Sequence, residues 1–293
     1  MSFTAENVKD LREKTGAGMM DCKKALQETN GNMDEAIEFL RKKGLQSLQK
    51  KGDRIATDGL VSIATKGNLV SMVELNCETD FVAKNEDFKS FADFIADYVV
   101  SHKPGSPEDV LNATINGEKV FDKLNLLVSK IGEKLSLRRF VLVEAGNGEK
   151  LGTYIHLGNK IGVVLSVKGT PSDQIVKDVA MHVAAMNPKY LNPSEISQAV
   201  LDKEKEIYLA QLKDSGKPAD ILEKIVQGKV AKFATEVCLN EQVFIKDPAG
   251  KQKVKDFLKA AGSEVVSFKR FQVGEGMEKK QEDFASEVAK MLS

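Results

Sequence analysis

Three cysteines and three histidines make up a sparse stock of ligating and nucleophilic side chains. Cys22, Cys77 and Cys238 are odd in number and far apart, which suits free thiols in a reducing cytoplasm better than a disulfide framework. No two residues among these cysteines and His102, His156 and His182 stand at metal-ligand spacing, so no metal is expected. His102 adjoins a Pro/Gly breaker and is expected at the surface. His182 falls on the apolar face of a helical pattern, where a hydrogen-bonded core imidazole is the first reading and a catalytic base the second. His156 borders a hairpin turn, where its ring either packs or presents an edge to a partner. Glu204 and Glu206 lie on a polar helix, a poor place to exclude water for acid/base work. No G-x-x-x-x-G-K-[ST] and no G-x-S-x-G occur. Gly16-Ala17-Gly18 and Gly274-Glu275-Gly276 lack the third glycine of a dinucleotide fingerprint and read as turns. Nothing here nominates an enzyme or a cofactor.

Recognition chemistry is better represented. In Asn76-Cys77-Glu78-Thr79-Asp80-Phe81-Val82-Ala83-Lys84-Asn85 an aromatic ring and a valine stand beside a carboxylate on a polar connection, a candidate protruding anchor. The competing reading has Asp80 capping a short turn while Phe81 folds into its own core.

The elements that hold this segment follow from periodicity. Thr4 starts a helix carrying Val8 and Leu11. A second runs through Met19, Met20, Cys22 and Leu26, and a third carries Met33, Ile37 and Leu40 and is expected to stop at Gly44. Residues 45–58, with Arg41, Lys42 and Lys43 before them and Lys50, Lys51 and Arg54 within them, read as a basic linker, either a solvated tether or an RNA-contacting strip. Leu60–Thr65 and Leu69–Asn76 read as a hairpin, followed by a helix from about Asn85 with Phe88, Phe91, Ile95 and Tyr98 on one stripe. Another helix is expected over roughly Gly117 to Lys134. Strands over Leu137–Glu144, Leu151–Leu157 and Ile161–Val167, then a helix after Pro171-Ser172-Asp173, repeat the hairpin-then-helix theme, and each sheet needs its helix to cover one face. Ile196, Val200 and Ile207, a Ser215-Gly216-Lys217-Pro218 turn, and Ile221, Ile225 and Phe233 predict an antiparallel helical arm. A last strand over Val265–Val273 precedes an amphipathic C-terminal helix with Phe284, Val288 and Leu292.

Composition sets the outer limits. At about 150 residues per domain, 293 residues argue for roughly two domains plus small modules. Apolar residues make 42% and charged ones 29%, with 43 basic against 43 acidic side chains, so the chain is globular and lacks the basic excess of a nucleic-acid binder. No apolar run is long enough for a membrane span, and Met1-Ser2-Phe3-Thr4-Ala5-Glu6 has no mark of an export signal.

Gly16-Ala17-Gly18-Met19-Met20-Asp21-Cys22-Lys23-Lys24-Ala25-Leu26, the Asn76–Lys84 segment, Met181-His182-Val183-Ala184-Ala185 and Val273-Gly274-Glu275-Gly276 together resemble bacterial translation elongation factor Ts. The resemblance runs along essentially the whole chain in one order. It implies a multidomain α+β protein: a ubiquitin-associated-like three-helix domain and linker (1–54), a two-lobed core of antiparallel sheets covered by helices (55–136, then 137–187 with 230–273), a coiled-coil helical hairpin (188–229) and a C-terminal helical module (274–293). The implied activity is non-enzymatic guanine-nucleotide exchange on cytoplasmic elongation factor Tu, met in its GDP-bound and nucleotide-free forms. The chain itself would bind neither nucleotide nor membrane, and its balanced charge argues against nucleic acid. Thr79, Asp80, Phe81 and Val82 match the family segment implicated in disturbing Tu's magnesium site. The resemblance also brings Val8, Arg12, Met19 and Met20 to Tu's nucleotide-binding domain and His156 near another domain. The arm is compatible with a 2:2 assembly or with a contact to Tu.

Overall fold

The computed structural model describes residues 3–52, 54–213 and 218–277. Its first module is α1 (Ala5–Thr15), α2 (Met19–Glu28) and α3 (Met33–Lys51). Thr4 opens α1 with a capping box: its hydroxyl accepts from the Asn7 amide at 3.3 Å while Asn7 Oδ1 accepts from the Thr4 amide at 2.9 Å. Leu11, Cys22, Ala25, Leu26, Ala36 and Leu40 form a small core among the three helices.

The first lobe contains β1 (Asp58–Lys66), β2 (Leu69–Cys77), α4 (Asp80–Ala83), α5 (Glu86–His102), α6 (Pro107–Asn112), β3 (Thr114–Ile115), β4 (Glu118–Lys119), α7 (Val120–Ile131) and β5 (Ser136–Glu144). Asn85 caps α5, whose Phe88, Phe91 and Ile95 stripe is buried against the sheet as the spacing predicts. The helix expected from Gly117 begins instead at Val120, because Asn116 (φ 52) and Gly117 (φ 83) turn the β3–β4 hairpin. That helix stops at Gly132, in the left-handed region at φ 88.

Helix α3 does not end at Gly44 but continues to Lys51. A Cβ at Gly44 would lie 3.3 Å from both Asn125 O and Ser129 Oγ of α7, so this glycine serves close helix–helix approach rather than a stop. In the basic stretch around it, Arg41 pairs with Asp122, Lys43 with Asp21 and Arg54 with Glu78. The strand expected to open the second lobe, β5, pairs antiparallel with β2, with Leu137 opposite Leu75 and Val141 opposite Met72. The turn after it therefore passes between sheets instead of closing a hairpin.

The second lobe contains β6 (Glu149–Ile155), a 3-10 turn (Leu157–Asn159), β7 (Ile161–Gly169), α8 (Asp173–Met186), α9 (Gln198–Leu212), α10 (Ala219–Val237), α11 (Val254–Ala260) and β8 (Ser263–Gln272). Strand order is β1-β2-β5 in one sheet and β6-β7-β8 in the other, all antiparallel. Val163, Leu165 and Val167 face α8 and α11 through Val176, Val179, Val183 and Leu258. Helices α9 and α10 pack on one another, with Ile207, Leu209 and Ile221 exposed. Ile196, expected on the first of these helices, precedes it and is buried. Most of the expected 215–218 turn, and the C-terminal helix expected with Phe284, Val288 and Leu292, lie outside the described residues.

The two sheets meet through Val61, Val70 and Met72 on one side and Val164 and Phe271 on the other. The near-continuous burial of β2 follows, since both of its faces are covered. Gly162 makes the approach possible: a Cβ there would lie 2.5 Å from Val61 Cγ1 and 2.9 Å from Met72 Sδ. Lys160 reinforces the joint, pairing with Asp58 and donating to Gly59 O at 2.8 Å.

Candidate partner-binding site

The connection from β2 to α5 is built by two caps that fall close together. Thr79 caps the single turn α4, its hydroxyl accepting from the Val82 amide at 3.4 Å. Asn85 Oδ1 caps α5, accepting from Asp87 and Phe88 amides at 2.9 and 3.3 Å. Between these fixed points α4 turns Ala83 and Val82 toward the first-lobe core and leaves Phe81 80% exposed. Of the two sequence readings, the one with Asp80 as cap and Phe81 in the core is thus replaced: Thr79 caps, and the ring stands in solvent. A fully exposed Phe forgoes roughly 1.5–3 kcal/mol of burial, so its position on an ordered turn is informative in a way that a lone exposed Leu is not.

Polar groups frame the ring. Lys84 Nζ lies 2.7 Å from Asp80 Oδ2 and 5.8 Å from the Phe81 ring centroid. The hydrogen bond from Lys84 holds the Asp80 carboxyl below its ordinary range, so Asp80 carries its charge at neutral pH.

The base of the turn is gripped from the segment just after α7. Glu133 Oε2 accepts from the amides of Glu78 and Thr79, each at 3.0 Å, and Glu133 Oε1 accepts the Thr79 hydroxyl at 2.6 Å. Glu78 answers by accepting the Lys134 amide at 2.6 Å and Arg54 Nη1 at 3.2 Å. Lys134 Nζ in turn donates to the carbonyls of Gly52 and Arg54. Cys77 Sγ donates to Thr79 O at 3.1 Å, and burial, with the nearby Asp58 and Glu133 charges, pushes its thiol up to about 12. That thiol stays protonated and structural. Sequence reasoning missed Glu133 altogether, because a contact across 54 residues leaves no periodic trace.

The other sequence-nominated residues sit apart from this turn in the chain. Val8, Arg12, Met19 and Met20 line a groove of about 590 Å³ in the helical module, together with Phe3 and Lys23. Gly18 starts α2, so Met19 and Met20 fall on its exposed first turn (59% and 72%) while Cys22, Ala25 and Leu26 point inward. His156 is exposed beside the turn between β6 and β7, its Nδ1 3.1 Å from the Tyr154 hydroxyl. It therefore presents an edge and does not pack.

His182 is the opposite case. Fully buried, it accepts the Ile245 amide at Nδ1 (3.1 Å), which leaves Nε2 to donate to Gln242 Oε1 (2.9 Å). Burial lowers its pKa, outweighing the Gln242 bond, so it is a neutral core imidazole. Among the described residues no three His, Cys, Asp or Glu side chains are grouped to hold a metal ion, and no helix is long and apolar enough to cross a membrane.

A sequence model of the family described as Elongation factor TS matches residues 78–275, more than half of the chain. The match begins at the base of the gripped turn and takes in Thr79–Val82, Glu133 and His156, whereas Val8, Arg12, Met19 and Met20 precede it.

Proposed function

The chain belongs to the elongation factor Ts family, whose members are nucleotide exchange factors for elongation factor Tu, and from that premise we propose that it works as a wedge and grip. Phe81 enters the nucleotide-binding domain of Tu and displaces the elements that support the magnesium ion on the GDP phosphates. Thr79 and Val82 hold the wedge, and Asp80 makes polar contacts beside it. The groove around Val8, Arg12, Met19 and Met20 grips the same domain, and His156 meets another part of Tu. The setting is the cytoplasm, where translation runs. The helical arm is available either to a second copy or to Tu.

No covalent chemistry is required of the chain. If factor and GDP each weaken the other's hold on Tu, the coupling is reciprocal, and every 1.4 kcal/mol changes affinity about tenfold. Magnesium carries the largest local charge in such a pocket, so a small displacement of its supports removes a large favourable term. Burial of the Phe81 ring contributes roughly 1.5–3 kcal/mol toward that displacement. Separate grips hold the ring at high effective concentration for insertion. Incoming GTP reverses the linkage and releases the factor.

The observation that carries this reading is the 80% exposure of Phe81 on a turn anchored at both ends. Stopped-flow release of a fluorescent GDP analogue from Tu tests it. Release should accelerate with added protein and reach a plateau; release at the intrinsic rate at every concentration would overturn it.

A further inference from the structure

The geometry points to Glu133 as the positioning residue of the Phe81 wedge, an inference that rests on the role proposed for Phe81 above. One carboxylate takes three donors from two consecutive residues, the amides of Glu78 and Thr79 and the Thr79 hydroxyl. Hydrogen bonds to a charged acceptor are the stronger kind, and three on one group fix its partners in orientation as well as in place.

The Thr79 hydroxyl is where the grip becomes directional. A hydroxyl has one proton to donate and lone pairs to accept with. Here the proton goes to Glu133 at 2.6 Å, which aims a lone pair at the Val82 amide and so sets the start of α4. Phe81 sits between these two residues on a helix of one turn, too short to hold itself. Its direction is therefore inherited from Thr79, and that of Thr79 from Glu133.

Glu133 is in turn well founded. It follows α7, whose Val120, Leu124 and Val128 lie in the first-lobe core, and Gly132 at φ 88 turns the chain out of that helix. The bond returned from the Lys134 amide to Glu78 closes a two-way clasp between the end of α7 and the base of the turn. Helix α7 also receives α3 at Gly44 and Arg41, so the same helix seats the first module and aims the wedge. Cys77 and Ala83, on either side of the turn, are buried among the apolar residues of the first-lobe core. Loss of the carboxylate should thus leave the lobe folded and let the ring wander, so that ordering it is charged against insertion.

A double-mutant cycle on the full chain with Tu bearing a fluorescent GDP analogue tests this, reading the plateau release rate and the factor concentration at half-plateau. Glu133→Ala should lower the plateau about tenfold, the size of one charge-assisted hydrogen bond, with a much smaller change in half-plateau concentration. Glu133→Gln should recover part of the loss, since its amide oxygen still accepts from the two backbone amides. Thr79→Val, which keeps the shape and removes the hydroxyl, should repeat the defect without touching Glu133. Placed on Phe81→Ala, Glu133→Ala should add nothing further. A wild-type plateau for Glu133→Ala, with Phe81→Ala defective, overturns the positioning role alone, whatever Thr79→Val does through its own cap on Val82. Full additivity in the double mutant also overturns it, while a wild-type plateau for Phe81→Ala overturns the wedge itself.

Discussion

Glu74 on β2 and Gly274 in the turn after β8 are joined by a 2.8 Å hydrogen bond from the Gly274 amide, although 200 residues separate them. The Glu74 carboxylate is fully buried and also accepts Arg138 Nη1 at 2.9 Å and Arg139 Nε at 2.5 Å. Gly274 fits only as glycine, with φ 71 and the site of a Cβ 2.3 Å from Thr57 O. One buried carboxylate thus ties β2 and β5 of the first sheet to the turn that follows β8 of the second.

Removing that carboxylate takes the buried acceptor from two guanidinium groups, leaving Arg138 its bond to Glu275 O and Arg139 its bond to Gln272 O. Glu74→Ala should cost about 3 kcal/mol, the low end for breaking a buried pair because both arginines keep some solvent contact. Calorimetry should show a clear fall in Tm. An unchanged Tm would mean that the network is dispensable.

His182 predicts an acid-side loss of stability. Its folded pKa lies below the ordinary 6.5, so the unfolded chain binds more protons between the two values. The stability it contributes is complete above 6.5 and declines as the pH falls from there through the depressed folded value. Protonation would place a donor at Nδ1 against the Ile245 amide, and the groups around the ring are Gln242, Phe244 and that amide. Urea midpoints at about pH 8 and about pH 5 should differ more for wild type than for His182→Gln. Equal differences would assign the acid loss to other groups.

How much of this was legible in the sequence depended on distance along the chain. The Thr4 helix start, the helices opening near Asn85 and after Pro171-Ser172-Asp173, and the Phe88-Phe91-Ile95 stripe are local signals, and all stand where the sequence put them. The partner of β5 is a nonlocal choice, and alternation along Leu137–Glu144 fits either sheet. Gly44 obeys the stop rule in composition, yet its lack of a Cβ is used for packing on Asn125, which only the placement of α7 reveals. Phe81 stayed ambiguous because moving the cap from Asp80 to Thr79 decides which side chains of a single turn face the core. Glu133 was invisible for the same reason as β5: its partners lie 54 and 55 residues away.

Met19 and Met20 offer a test of the grip that leaves the wedge intact. Both are exposed, so replacing the pair by serine should change unfolding free energy by no more than about 0.5 kcal/mol. Titration against nucleotide-free Tu should show weaker binding, by at least about tenfold if both side chains are buried in the complex. Unaltered affinity would remove this groove from the interface.

The most direct measurement of the central claim is the plateau rate of GDP release from Tu driven by Phe81→Ala. With the ring 80% exposed, the variant should match wild type in circular dichroism and Tm. It should still bind Tu through its other contacts, yet drive release at least about tenfold more slowly at saturation. A folded Phe81→Ala protein that reaches the wild-type plateau would contradict the account.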